Sequence, residues 1–309
     1  MLAQGEHVVG LDNMNAYYDV ALKEARHRIL AESNRFEANI LDLADGPGVA
    51  ELVARTRPRI VLHLAAQAGV RHALKAPQDY VTSNIQGSFN LLEACRAAPP
   101  KHLLLASTSS VYGATTALPF HETDPADTAL NIYSASKRAM EIMGHSHAHI
   151  HGLPITAFRF FTVYGPWGRP DMALFKFTDA MLKGAAIDLY NHGDMRRDFT
   201  FIDDMVEAIM RLAALPPAAG GQGASAVAPF RVVNIGGGEP VRLLDFVAEI
   251  EAALGTTATR NLLPMQPGEV PVTWADPSLL RALTGFVPET PVSIGVPEFI
   301  GWFRGFYRR

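Results

Sequence analysis

The chain has one cysteine, Cys95, so no internal disulfide can form and a reducing compartment suits it. It has no apolar run of the roughly 18 residues that a membrane-spanning helix needs. Charge of one sign is also scarce. Against 31 Asp and Glu stand 27 Lys and Arg, and the net charge of -4 offers no surface for nucleic acid. Glu6, His7 and Asp12 interrupt the start, which excludes a secretory signal peptide. These absences predict a cytoplasmic protein with no membrane and no nucleic-acid partner. A further absence bears on function: no Gly-x-x-Gly-x-x-Gly pattern precedes Asp12.

The 309 residues suffice for one large domain or two lobes with a substantial core. Strand-like runs stand at 7–11, 60–64, 102–106, 155–161 and 232–235, with helical patterns between them, including 85–98 and 133–150. This alternation predicts an α/β fold, a doubly wound parallel sheet with helices on both faces. From about residue 166 the rhythm breaks into shorter, Pro-, Gly- and aromatic-rich segments, which suggests a smaller C-terminal lobe. Apolar helical spacing returns at Leu243, Val247, Ile250 and Leu254, and near Val296, Phe299 and Phe303. Residues 215–229 read as a surface loop. Cys95 falls on an apolar stripe with Ile85, Phe89 and Leu92, so it reads as a core thiol.

Chemistry concentrates at Tyr133-Ser-Ala-Ser-Lys137, downstream of a strand that ends in Thr108-Ser109-Ser110. Positions four apart share a helix face, so Lys137 can hold its ammonium near the Tyr133 phenol. A nearby cation favours phenolate, and the tyrosine pKa is expected to fall from about 10 towards neutrality. Such a tyrosine can take a proton from an alcohol while a nicotinamide takes the hydride. The hydroxyls of Thr108, Ser109 and Ser110 can bond the same alcohol, although a Ser/Thr run also serves plain turn chemistry.

Asp12 closes the first strand. In a dinucleotide fold an acid there bonds the adenosine ribose and selects NAD over NADP. The phosphate-cradling glycine loop is expected about 20 residues earlier, a position that falls before Met1. The opening residues 1–7 read as the tail of the helix that follows such a loop. The dinucleotide (Rossmann) fold is thus expected to be N-terminally truncated, unstable as it stands and a poor binder of NAD. Further cofactor positions are expected at strand ends: Asp42 and Leu43 near the adenine, then Ala65, Ala66 and Gln67. Asn84 precedes a helix and reads either as its cap or as a cofactor contact.

With these residues assembled, the chain resembles the extended short-chain dehydrogenases/reductases that act on nucleotide sugars, and among them the UDP-glucuronate 4-epimerases. The resemblance runs through Leu11-Asp-Asn-Met-Asn-Ala-Tyr-Tyr-Asp19, His63-Leu-Ala-Ala-Gln-Ala-Gly-Val-Arg71 and Ala106-Ser-Thr-Ser-Ser-Val-Tyr-Gly113. It continues through 133–137, 197–203 and 263–269, and the segment 159–177, with Trp167-Gly-Arg-Pro-Asp-Met172, is the most specific. It implies that residues 1–165, with 196–236 returning to them, bind NAD, and that 166–309 mainly bind the UDP-sugar. It implies NAD-dependent epimerisation of UDP-glucuronate to UDP-galacturonate through a 4-keto sugar, in a homodimer serving polysaccharide synthesis.

The resemblance assigns catalysis to Thr108, Tyr133 and Lys137, and adds Asn13 and Asn15 to the cofactor positions. It places Ser109, Ser110 and Thr162 at the sugar, Leu189 and Tyr190 along the uracil, and Arg197, Gln266 and Glu269 near the diphosphate and ribose. Arg169 is the candidate for gripping the sugar carboxylate, because a guanidinium forks onto a carboxylate. Lys176 either assists the diphosphate or is a solvated lysine. Arg197 has an ion pair with Asp194 or Asp198 as its structural alternative, and Asp203 reads as a helix cap. The chief rival is UDP-glucuronate decarboxylase, whose members carry a glutamate where this chain has Ser110. Another UDP-sugar 4-epimerase and a non-catalytic NAD-binding fragment are further alternatives. His145, His147, His149 and His151 invite a metal reading, with His145 and His149 on one helix face. No carboxylate partner is evident beside them and the family needs no metal, so none is expected.

Overall fold

The computed structural model describes residues 1–308. The first elements are β1 (Val8–Asp12), α1 (Val20–Ala31), β2 (Phe36–Ile40), α2 (Gly46–Thr56) and β3 (Ile60–His63). Two short turns of helix follow, α3 (Val70–Ala73) and α4 (Pro77–Tyr80), then a π-helical stretch (Val81–Gln86) that runs into α5 (Gly87–Ala97). Next come β4 (His102–Thr108), α6 (Ile132–His151), β5 (Ile155–Phe160), β6 (Thr162–Tyr164), α7 (Ala173–Leu182), β7 (Ile187–Leu189) and β8 (Arg196–Phe201). The chain closes with α8 (Ile202–Ala213), β9 (Phe230–Ile235), β10 (Pro240–Arg242), α9 (Leu243–Leu254), β11 (Arg260–Leu262), α10 (Ser278–Thr284) and α11 (Val292–Tyr307).

Strands β3, β4, β5 and β9 form an all-parallel sheet in that order, and β1 pairs in parallel with β2. The doubly wound α/β architecture expected from the alternation is what forms. β4 explains why the pattern was so strong. All seven of its residues are buried, because a central parallel strand is covered by helices on both faces. Leu103 and Leu105 point into a core with Val49, Leu92, Cys95 and Met140, while Leu104 points into the opposite core with Phe158, Met205 and Ile209. A third core, built on Phe175, Leu189, Phe246 and Phe299, belongs to the C-terminal part of the chain.

The remaining strands stand apart from the large sheet. β8 lies between β10 and β6, and β11 pairs with β7. No helix among the described residues is long and apolar enough to cross a membrane.

Three expectations need correction. The sequence pattern did not reveal β2, whose residues are only half-buried or exposed. Phe89 is not on the buried stripe with Leu92 and Cys95 but 42% exposed, because the buried face of α5 runs through Ser88, Leu91, Leu92 and Cys95. Asp203 does not cap α8. Phe201 occupies the cap position, and Asp203 sits in the first turn, where a carboxylate favours the helix dipole.

Candidate active site

Parallel strands present their C-terminal ends to a common crevice, where ligands of open α/β sheets bind. Asp12 ends β1, Asp42 and Leu43 follow β2, Ala65 to Gln67 follow β3, and Thr108 ends β4. A cleft of about 350 Å³ opens there. Asp12, Asn13, Asn15, Asp42, Leu43, Ala65, Ala66 and Gln67 line it together with Tyr133, Lys137 and Arg169.

Helix α6 brings the reactive side chains to this cleft. Asn131 caps it by accepting the Ser134 N–H at 2.9 Å. Gly144 lets it settle on the sheet, since a Cβ there would approach the Leu105 side chain to 2.9 Å. Tyr133, Lys137 and Glu141 then form a column on one face, spaced four residues apart. The Lys137 ammonium is 3% exposed and donates to the Ala106 carbonyl of β4 at 2.7 Å. Burial, with the positive charge of Arg169, lowers its pKa to about 8. One turn further, the buried Glu141 accepts from the Ser107 hydroxyl at 2.5 Å and from Arg159 at 3.0 and 3.1 Å. The Arg159 guanidinium lies over the Tyr112 ring, and Tyr112 donates to Asn234 at 2.6 Å. This network fixes α6 against β4, β5 and β9.

Tyr133 departs from expectation. Burial raises its pKa above the ordinary value, outweighing the opposing pull of Arg169 and of a hydrogen bond with Thr108. Arg169 is the cation that pulls the phenol down, while the Lys137 ammonium is engaged with the Ala106 carbonyl. Thr108 shapes the adjoining turn (Ser109–Tyr112): its Oγ1 accepts the Ser110 N–H at 3.2 Å and donates to the Ser110 hydroxyl at 3.3 Å.

Asn84 is neither a cap nor part of the cleft wall. Buried in the π-helical stretch, it accepts the Gln67 N–H at 2.8 Å and donates to the Gln67 carbonyl and the Ser136 hydroxyl at 2.9 Å. It thus ties the β3 end to the helix that carries Tyr133.

Several residues lining the cleft or packed behind it were not singled out by the sequence. Lys23 of α1 reaches Asp12 at 3.5 Å and donates to Asn15 at 3.2 Å. Tyr17 donates to Asp171 at 3.2 Å, and Asp171 pairs with Arg169 at 3.1 Å. Burial and the Asp171 charge push the Tyr17 pKa up to about 12. Tyr80 packs edge-on against Tyr133 with ring centres 6.1 Å apart. Nothing local in the sequence marked Lys23 or Tyr80.

Two of the other predicted residues, Tyr190 and Glu269, meet at Arg71. Arg71 lies 4.3 Å over the Tyr190 ring and pairs with Glu269 at 3.2 Å. Arg197 donates to the Arg196 and Pro271 carbonyls at 2.9 Å, so the ion pair with Asp194 or Asp198 does not form. Asp198 instead accepts three backbone N–H groups, from Gly237, Gly238 and Ala275. Gln266 keeps a buried side-chain oxygen without a hydrogen-bond partner, and Leu189 is buried. Lys176 is exposed on α7, and Thr162 opens β6.

The sequence profile of the NAD-dependent epimerase/dehydratase family matches residues 1–236. The chain belongs to this family. It is 52% identical to a probable UDP-glucuronate 4-epimerase of Rhizobium meliloti, over 100% of this chain and 93% of that one. The UDP-glucuronic acid 4-epimerase of Bacillus cereus, solved with UDP-glucuronic acid and NAD, superposes with a TM-score of 0.87 at 32% identity, covering 98% of this chain and 93% of that chain. The UDP-glucose 4-epimerase of Thermus thermophilus, solved with NAD, gives a TM-score of 0.85 at 28% identity over 98% and 93% of the two chains.

The cleft offers positions for the two ends of a dinucleotide, while no glycine stands among its lining residues to cradle the pyrophosphate. A half-exposed carboxylate, Asp12, stands at one end, the small side chains Ala65 and Ala66 line the middle, and Tyr133 and Lys137 stand at the other end.

Proposed function

We propose that the protein interconverts UDP-glucuronate and UDP-galacturonate by NAD-dependent epimerisation at C4. The observation that carries this reading is the position of Arg169. Arg169 lines the same cleft as Tyr133 and Lys137 and is held there by Asp171 at 3.1 Å. A fixed cation beside a proton-transferring tyrosine suits a sugar that carries a carboxylate next to its reacting carbon. The Rhizobium and Bacillus relatives support the same substrate.

Bound NAD supplies the acceptor that takes hydride from C4 and the donor that returns it. Asp12, Asn13, Asn15, Asp42 and Leu43 would hold its adenosine end, Ala65 to Gln67 the middle, and Tyr133 with Lys137 the nicotinamide end. Tyr133 takes the 4-hydroxyl proton when it is phenolate, becomes the phenol, and gives the proton back after the sugar has turned. Thr108 and Arg169 lean the phenol towards phenolate against the effect of burial. Ser109, Ser110 and Thr162 would hold sugar hydroxyls. Arg197, Lys176, Gln266 and Glu269 would hold the diphosphate and ribose, and Leu189 with Tyr190 the uracil. Arg169 grips the carboxylate so that its bond to the ring stays out of line with the C4 carbonyl, which disfavours loss of CO₂.

In this reading residues 1–165 with 196–236 form the cofactor lobe, and most of the chain from 166 onward forms the UDP-sugar lobe. The protein works in the cytoplasm as a homodimer.

Arg169→Gln tests the substrate. Loss of one charged hydrogen-bonding partner is expected to cost about 1.5–3 kcal/mol, a drop of roughly 10- to 150-fold in kcat/KM for UDP-glucuronate. kcat/KM for UDP-glucose should fall much less, because only the effect of Arg169 on Tyr133 is lost there. An equal loss on both sugars would mean that Arg169 does not read the carboxylate.

A further inference from the structure

The sequence shows no carboxylate partner beside the four histidines at the end of α6. The structure divides the four histidines into two sets. His145 and His149 turn towards the 225–227 loop, where they meet the Ser225 hydroxyl at 2.9 Å and the Val227 carbonyl at 2.7 Å. His147 and His151 turn towards α5, and there they meet Glu93. One ligand atom from each of Glu93, His147 and His151 lies within 4.8 Å of the other two.

We propose that Glu93, His147 and His151 form a binding site for one divalent transition-metal ion, of the zinc or nickel type, that clamps α5 to the end of α6.

The hydrogen bonds of His147 carry this assignment. Its Nδ1 lies 3.0 Å from the Met143 carbonyl. A carbonyl oxygen only accepts, so Nδ1 bears a proton. The other nitrogen, Nε2, faces the Glu93 carboxylate at 2.9 Å. A cation between Nε2 and the carboxylate oxygen would need them to part only slightly, from 2.9 Å to about 3.3 Å. A backbone carbonyl on the far nitrogen is also how metal-binding histidines are commonly oriented.

The other partners are placed accordingly. Arg96 holds the second carboxylate oxygen of Glu93 at 2.9 to 3.0 Å, which leaves Oε1 for the ion. His147 and His151 are four residues apart on one helix, the spacing that lets two imidazoles chelate a single ion, and their ring centres are 5.6 Å apart. In a tetrahedral site with bonds of about 2.0–2.1 Å, ligand atoms stand roughly 3.3 Å apart. The Glu93–His147 pair is already near that separation, and the exposed His151 at the last position of α6 is free to close the remainder by a side-chain rotation. Two imidazoles select transition metals over magnesium or calcium, which prefer oxygen ligands. The site lies on the outer face of the two helices, away from the cleft, and leaves a fourth position for water.

The test is calorimetric titration of the intact, tag-free protein with zinc chloride and with nickel chloride after chelator treatment. The expected result is one ion per chain and a melting temperature that rises with metal concentration, since an ion bound only to the folded state stabilises it. His151→Gln, a change at an exposed position, should weaken binding by more than about tenfold, as should His147→Gln. His145→Gln and His149→Gln should leave it unchanged. Absence of saturable binding at one ion per chain, or an affinity that His151→Gln leaves intact, or one that His145→Gln abolishes, would overturn the proposal.

Discussion

Replacing Lys137 by methionine should stabilise the protein at neutral pH while abolishing turnover. The ammonium is 3% exposed, and burial followed by the Arg169 charge depresses its pKa from 10.5 to about 8. The folded state therefore holds the proton less tightly than the unfolded chain. The sign follows from linkage: between pH 8 and 10.5 the unfolded chain binds the proton that the folded state sheds, so stability rises with pH across that window. Below about pH 8 the burial cost is fully present. At about 1.36 kcal/mol per pH unit it amounts to roughly 3 kcal/mol. The charged hydrogen bond to the Ala106 carbonyl, worth about 1.5–3 kcal/mol, offsets part of it. Methionine fills similar volume and removes both contributions, for a net gain of about 1 kcal/mol at pH 7. That corresponds to a rise in Tm of about 2–4 °C, read by calorimetry. The gain should shrink and then reverse as pH approaches 10.5, because the native lysine then loses its charge at little cost. A variant less stable at pH 7, with a deficit that stays constant from pH 7 to 10, would refute the reasoning.

Two further outcomes follow from buried groups. His63 is buried beside Ser88, and burial with the Lys137 charge lowers its pKa to about 3. The folded state refuses a proton that the unfolded chain accepts near 6.5, so stability falls as pH drops from about 6.5 towards 3, by roughly 2 kcal/mol at pH 5. His63→Gln should flatten this acid limb in urea unfolding at pH 5 and 7, and an unchanged limb would count against it. Arg159→Leu leaves the Glu141 carboxylate buried with its main partner gone and should cost about 3–5 kcal/mol. Thermal unfolding of Arg159→Leu with Glu141→Gln should show a smaller loss than the single change, whereas additive losses would exclude coupling between the two.

The fold was legible where burial is two-sided. β4 is buried along its whole length and carries the apolar stretch Leu103 to Ala106, as a parallel strand covered by helices on both faces does. β2 was not legible, because Phe36, Glu37, Ala38, Asn39 and Ile40 mix polar and apolar residues as a partly exposed strand does. Most of the cleft could be placed from strand ends, since topology alone aims Asp12, Asp42 and Ala65 at one crevice. The state of Tyr133 could not. Spacing identifies which charges can approach a phenol, but the balance between charge and burial depends on packing that no local pattern encodes, here including Tyr80 from a distant turn. The same holds for Glu93 and His147, which are 54 residues apart in the chain and meet only because α5 and α6 pack side by side.

Purified protein supplied with NAD and UDP-glucuronate, with its sugar protons followed by NMR, tests the account most directly. Conversion to UDP-galacturonate without release of CO₂, abolished by Tyr133→Phe, is the predicted result. Formation of UDP-xylose with CO₂, or turnover of UDP-glucose in place of UDP-glucuronate, would contradict it.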